Sequence, residues 1–275
     1  MEKRGRLVPV TRERTGVGEP SRTLALLWGE ESAEPRRKGP SRSVTVAQIV
    51  QAALAIADEE GLGGVTMRSV AERVGVSTMS VYTYVPGKVE LLDLMVDARY
   101  LQMSRKPWRS RSWRRRVTAV AEANRTLLTD HPWLTEVAAL SRPPLGPGLL
   151  AKYEHELAAF DGTGLDDVTV DAALTFVLGF VQSLVRSTHD AVRAATDGAV
   201  SDADWWAANE PVLARAFDPA TYPRAVRIGA VAGAAQGSAW DPEAAWAFGL
   251  ARTLDGLAAL IDGPGGRESR GVDSR

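Results

Sequence analysis

The chain has 275 residues, 45% of them apolar and 24% charged, with a formal net charge of −1 and no cysteine. That length holds one or two domains with a sizeable core, and the lack of cysteine excludes thiolate metal sites, disulfides and cysteine nucleophiles. No uninterrupted apolar run reaches the length of a membrane span and the charged N-terminus lacks the apolar stretch of a signal peptide, so a cytoplasmic protein with no membrane partner is expected.

The near-neutral total hides an asymmetry. Residues 36–116 hold 15 Lys/Arg against 7 Asp/Glu, whereas the rest hold 18 against 27. A basic N-terminal part on an acidic body is the footprint of a polyanion-binding protein, or else a solvated run of charge.

Residues 1–43 are rich in Arg, Glu, Gly, Pro and Ser and are expected to be disordered, apart from an apolar cluster at Leu24, Leu26, Leu27 and Trp28. The first helix begins at Thr45, which forms a capping box with Gln48. Ile49, Ala52, Ala53, Ile56 and Ala57 follow the spacing of one buried face, and Gly61 supplies the stop. Thr66 caps a short helix carrying Val70, Ala71 and Val74. Gly75 makes a tight turn, and Ser77 caps a third helix whose inward residues are Val81 and Val85. Pro86-Gly87 ends it, and a fourth helix runs from Lys88 to about Met103. Three helices, the last two joined by a short glycine turn, make a helix-turn-helix. With Val81 and Val85 inward, Thr78, Met79, Ser80, Tyr82, Thr83 and Tyr84 form an exposed face of hydroxyls, aromatic rings and a thioether, suited to base edges and phosphates in a major groove.

Beyond Ser110 the pattern is helical to Asp262. Residues 112–130 are amphipathic with Trp113, Val117, Val120, Ala121, Leu127 and Leu128 inward, and the basic "RSRSWRRR" (109–116) decorates a helix end or else faces a polyanion. A short helix follows Pro132 and another covers about 146–160. A long helix from about Asp166 to Ala195 carries "AALTFVLGFVQSLV", apolar on nearly every side, which predicts burial all round. The last helix covers 242–262, and the tail 263–275 is expected to be disordered. The fold class is therefore all-α.

The stretch "TMRSVAERVGVSTMSVYTYVPGKVELLDLM" (66–95) resembles the DNA-binding signature of tetracycline-repressor (TetR) family regulators, most clearly in its Val-Gly-Val turn, its Val-Tyr-x-Tyr-Val ending and the Gly-Lys before the fourth helix. "ANRTLLTDHPWL" (123–134) followed by "PPLGPGLL" (143–150) is similar to the tetracycline-repressor-type C-terminal domain of actinobacterial members. The resemblance implies a DNA-binding domain at 44–90, an effector-binding and dimerisation domain at 91–262, and a homodimer on double-stranded operator DNA. It places Tyr82 and Lys88 at phosphate positions, Thr78, Met79, Ser80, Thr83 and Tyr84 at positions facing bases or backbone, and Arg68 at a frequent contact position. The recognition helix lacks Arg, Lys, Asn and Gln, so thymine methyls, single hydroxyl contacts and Arg68 must carry the discrimination. Arg36, Arg37, Lys38 and Arg42 form a basic arm before the first helix, placed to enter a minor groove or to make non-specific phosphate contacts.

In the body, the long and last helices are candidates for a four-helix dimer interface, with Gly179, Gly249, Ala251 and Gly256 permitting close approach. Candidates for an effector pocket are Asn124, Trp133, Tyr153, Phe176, Phe180, Gln182, His189, Trp205 and Trp206, each with core packing as its competing role. His131, His155 and His189 lack metal-ligand spacing, and neither a metal nor a cofactor is expected. The expected function is a ligand-responsive transcriptional regulator, a repressor released by a small hydrophobic effector. The alternatives are a DNA-binding dimer without an effector, and a helical ligand carrier or enzyme; no nucleophile–base set supports the latter.

Overall fold

The computed structural model describes residues 15–16, 19–29, 44–138, 140–198, 200–238 and 240–263. Among these the chain is helical, without a strand. Its α-helices are α1 Pro20–Leu27, α2 Val46–Glu60, α3 Met67–Val74, α4 Thr78–Tyr84, α5 Lys88–Gln102, α6 Trp113–Asp130, α7 Leu134–Val137, α8 Pro147–Leu157, α9 Asp167–Gly198, α10 Asp202–Ala216, α11 Pro223–Gln236 and α12 Pro242–Ile261. The chain divides into two compact units, one ending at Asp161 and the other beginning at Gly162.

In the first unit local signals fix α2 to α4. The Gln48 amide donates to Thr45 Oγ1 at 3.2 Å while Gln48 Oε1 accepts the Thr45 amide at 2.9 Å. Thr66 and Ser69 repeat the arrangement on α3. These reciprocal bonds satisfy amides that a helix start leaves open. Gly75 closes α3 in the left-handed conformation, φ 74° and ψ 35°, which lets the chain reverse into α4. Ile49, Ala53, Val70, Val81, Val85, Leu91 and Met95 are sealed together, each fully buried.

α5 then serves two neighbours. Asp97 accepts the Gly148 and Leu149 amides at 3.0 and 2.8 Å, so a carboxylate of α5 caps the N-terminus of α8. The close approach explains "LGPG": a Cβ on Gly146 would lie 2.5 Å from the Asp97 carboxyl carbon, and one on Gly148 2.0 Å from the Asp97 carbonyl oxygen. Arg116 of α6 is buried. Its guanidinium donates to the carbonyls of Ala159, Asp161, Ser110 and Arg111, stitching α6 to the 3-10 turn Ala158–Phe160. A side chain counted with the basic run is thus an interior fastener, while the expected inward Trp113 and Leu127 are half-buried.

The second unit is built on α9 and α12. Phe180 stacks on Trp246 with ring centroids 5.6 Å apart, and a Cβ on Gly249 would lie 2.4 Å from the Phe180 ring. Gly249 therefore serves packing within the chain, whereas a Cβ on Gly256 would meet nothing within 4 Å. On α10, Trp206 packs against Gly233 of α11 in the same way.

One expectation, burial of α9 on all sides, is corrected, and two others are made more precise. Within 1–43, the apolar cluster expected at Leu24, Leu26, Leu27 and Trp28 falls on α1 and its C-terminal cap, and α1 buries Leu26 and Leu27 against α5. α9 is not buried all round: Val168, Phe176 and Val192 are 79%, 61% and 60% exposed, since α12 covers only part of an apolar circumference. Asp167–Thr196 and Pro242–Ile261 are also each long and apolar enough to cross a membrane by length and composition, which an inspection for uninterrupted apolar runs passes over.

Candidate nucleic-acid interface and internal cavity

Val81 and Val85 fix the rotation of α4, and that rotation turns its other residues outward. Met79 is 75% exposed and Tyr82 42% exposed; Thr83 is exposed, and Thr78, Ser80 and Tyr84 are half-buried. The Thr83 hydroxyl donates to the Met79 carbonyl at 3.0 Å, leaving its lone pairs for an external donor. The Ser80 hydroxyl lies 2.8 Å from Ser77 Oγ, which accepts the Ser80 amide, so Ser80 is partly spent on the helix cap.

Lys88 opens α5, where Gly87 offers no side-chain cap and the first-turn amides face outward with the positive end of the helix dipole. The lysine reaches back to the Leu62 carbonyl at 3.4 Å. Arg68 on α3 pairs with Glu72 one turn on at 2.8 Å, an exposed ion pair that a phosphate can displace at little cost. Arg37 and Lys38 lie outside the described residues.

A second feature lies in the same unit. A narrow cavity of only ≈ 20 Å³, room for about one water, lies at the C-terminal end of α5, lined by Met103, Ser104, Arg105 and Trp108, by Ala119, Val120 and Ala123 of α6, and by Lys152, His155 and Glu156 of α8. Trp108 stacks on His155 at 4.4 Å, and burial pushes the His155 imidazole below its ordinary range, which keeps it neutral at pH 7. On the polar wall Lys152 and Glu156 form a buried ion pair of 2.7 Å. Such a pair is costly to bury unless other hydrogen bonds complete it. Here the Asn124 amide donates to Glu156, and the Lys152 ammonium lies 5.3 Å over the Tyr100 ring.

Of the pocket candidates in this unit, Asn124 joins the network behind the cavity wall. Trp133 does not: it is 2% exposed, sealed in the core, with its indole N–H given to Asp58 at 2.8 Å. Tyr153 of α8 is not part of the cavity lining and is 37% exposed. In the second unit, Phe176 lines an open groove with Ala172, Arg252, Gly256, Leu257 and Leu260, Phe180 packs on Trp246, and Trp205 is half-exposed. Gln182 is half-buried on α9. The Nδ1 of His189 is buried without a hydrogen-bond partner among the described residues. Leu257 is itself 5% exposed, so it packs within its own chain. Inspection of the sequence missed Trp108, Lys152, His155 and Glu156; the i, i+3, i+4 spacing of the last three on α8 is the signal that groups them.

A capped helix-turn-helix with a polar outward face, followed by a helical body that holds a cavity, defines a DNA-binding transcriptional regulator. Residues 49–95 match "Bacterial regulatory proteins, tetR family" and residues 106–261 match "Tetracyclin repressor-like, C-terminal domain". The HTH-type transcriptional repressor DrrR1 of Streptomyces coeruleorubidus is 37% identical over 252 residues, covering 90% of this chain and 89% of that protein. The chain belongs to the TetR family. Among solved structures, a possible TetR family transcriptional regulator of Streptomyces coelicolor A3(2) is 26% identical with a TM-score of 0.58, covering 78% of this chain and 99% of its own. ActR of Streptomyces coelicolor, solved in complex with actinorhodin, shares the fold at 24% identity and a TM-score of 0.66, over 80% of this chain and 97% of its own.

Proposed function

We propose that this regulator is a cytoplasmic homodimeric repressor that leaves its operator when a small, largely apolar molecule pries open and fills the narrow cavity between the 103–108 segment, α6 and α8. The observation that carries the reading is the place of that cavity. It abuts the C-terminal end of α5, and Lys88 stands at the other end of the same helix, about 22 Å away. Filling the cavity displaces α5, and α5 carries the reading head. The 37% identity to a repressor supports repression as the output.

In this reading Tyr82, Lys88 and the α5 amides hold phosphates. Thr78, Met79, Thr83 and Tyr84 face bases, Ser80 and Arg68 support them from the flank, and Arg37 and Lys38 add arm contacts. The exposed apolar face around Phe176 and Leu260, on α9 and α12, pairs with a second copy, which sets two heads one helical turn apart, roughly 34–36 Å. The Lys152–Glu156 pair supplies the few oriented polar groups that a mostly apolar site needs.

The test is selection of an operator with the purified protein, followed by a small-molecule screen on that complex. Linkage is reciprocal, so a true effector must bind the operator complex less tightly than the free dimer by the factor by which it weakens DNA binding. Calorimetry with and without operator reads both. Equal affinities for a ligand seated in the body would leave a DNA-binding dimer without an effector.

A further inference from the structure

The segment ahead of the helix-turn-helix is fastened to the body at several separate points. The Thr15 amide donates to the Val137 carbonyl at 3.1 Å, and the Thr15 hydroxyl donates to the Arg142 carbonyl at 3.0 Å. The Gly16 amide donates to Asp93 of α5 at 2.9 Å. α1 then packs on α5 with Thr23, Leu26 and Leu27 buried. Finally the Trp28 indole donates to the Leu145 carbonyl at 3.0 Å. Thr15 itself is 2% exposed. Gly16 has φ +68°, and a Cβ there would lie 2.7 Å from Arg142 Cβ and 2.8 Å from its carbonyl oxygen. A loosely attached extension needs neither the backbone conformation nor the close fit.

These fastenings share a target. Val137, Arg142 and Leu145 belong to the end of α7 and the loop that leads into α8, the cavity wall. Asp93 lies one turn from Asp97, so two carboxylates on one face of α5 hold, respectively, the N-terminal segment and the N-terminus of α8. We infer that residues 15–16 and 19–29 are a brace that clamps α5 to the α7–α8 loop, and that this brace sets operator affinity from the body side, without itself touching DNA. Releasing the brace frees α5 to wander, and a wandering head loses more conformational entropy on docking.

The test uses the full-length chain with Gly16→Val, which disrupts the brace at a position remote from α3 and α4. Two readouts are taken: hydrogen exchange by mass spectrometry, and binding to the operator duplex selected by the wild type, measured by anisotropy at several salt concentrations. The expected result is exchange about tenfold faster in both 88–102 and 140–150, with 67–84 unchanged. Operator affinity should fall about threefold to tenfold, with the slope of affinity against salt unchanged, because no phosphate contact is lost. Wild-type exchange in 88–102 and 140–150 would overturn the inference. So would an affinity loss accompanied by a shallower salt slope, which would make the segment a phosphate-contacting arm. Should Gly16→Val fail to fold, Trp28→Phe keeps the ring packing and removes one N–H donor. It must then show the same pattern at smaller amplitude, and wild-type behaviour in that variant overturns the brace.

Discussion

Replacing Asp93 by Asn should stabilise the protein at neutral pH and leave it unchanged in acid. Asp93 is 1% exposed, and burial raises its carboxyl from an ordinary 3.8 to about 6 against the opposing effect of its bond from the Gly16 amide. The folded state therefore binds this proton more tightly than the unfolded state. Stability contributed by the group is present below the unfolded value, declines as pH rises from about 4 to about 6, and stays lost above that. The shift of about two units corresponds to roughly 3 kcal/mol at most, and partial screening brings the expected figure nearer 1–2 kcal/mol. Asn keeps an oxygen for the Gly16 amide and has no charge to bury. At pH 8 Asp93→Asn should melt about 2–8 °C above the wild type, and the gap should close by about pH 4. The assay is thermal unfolding followed by circular dichroism from pH 4 to pH 8. A gap that does not change with pH, or a variant less stable at pH 8, would refute the reasoning, because it would mean the Gly16 bond outweighs desolvation of the charge.

Lys88→Ala and Tyr82→Phe should each weaken operator binding about fivefold to tenfold for all sequences alike and lower the salt slope by at most about one, measured by anisotropy; altered base preference in a selection experiment would contradict the phosphate role. Thr83→Ala should instead change which base is preferred at one position of each half-site, and a uniform loss across sequences would argue against that role. Phe176→Glu or Leu260→Glu places a charge on the exposed apolar face of α9 or α12 and should yield monomers by sedimentation, where the wild type forms a dimer burying more than ~1,000 Å². Leu257 is unsuitable for that test because it is already packed inside its own chain. Arg116→Met should cost about 3 kcal/mol in urea unfolding, since four carbonyls lose their donors, and a loss below about 1 kcal/mol would show that water replaces them.

The parts of the fold legible in the sequence are those written locally. Thr45 with Gln48, Thr66, Gly75 and Ser77 each act within four residues of themselves, so the head and its outward face follow from spacing. What escapes the sequence is settled by partners far along the chain. α1 is short and sits in polar, proline-containing sequence, and its stability comes from α5, more than sixty residues away. Arg116 looks like its neighbours Arg114 and Arg115 and is distinguished only by the carbonyls that surround it. Lys152, His155 and Glu156 read as solvated charge on α8 until α6 and the 103–108 segment close over them. Gly249 reads as a contact for a second copy, and a single ring, Phe180, assigns it to the interior.

Asp58 shows why displacement of the body must reach the head. It lies near the C-terminal end of α2, within the DNA-binding domain. Its carboxylate meets the Arg99 guanidinium from α5, the His131 ring at 2.8 Å from the end of α6, and the Trp133 indole at 2.8 Å from the start of α7. One side chain of the head is therefore held by three elements of the body, and the hydrogen bonds come from different directions. A rotation of α5 relative to α6 and α7 cannot keep all three at bonding length. Either α2 follows α5 and the head tilts with the lever, or a charge-assisted bond breaks in a partly buried place, where the loss is larger than at an open surface. The first course is the cheaper one. Strain introduced at the far end of α5 is in this way delivered to α2 as motion of the whole head rather than absorbed at the joint, and the reading face of α4, packed on α3, which itself packs on α2, moves with it.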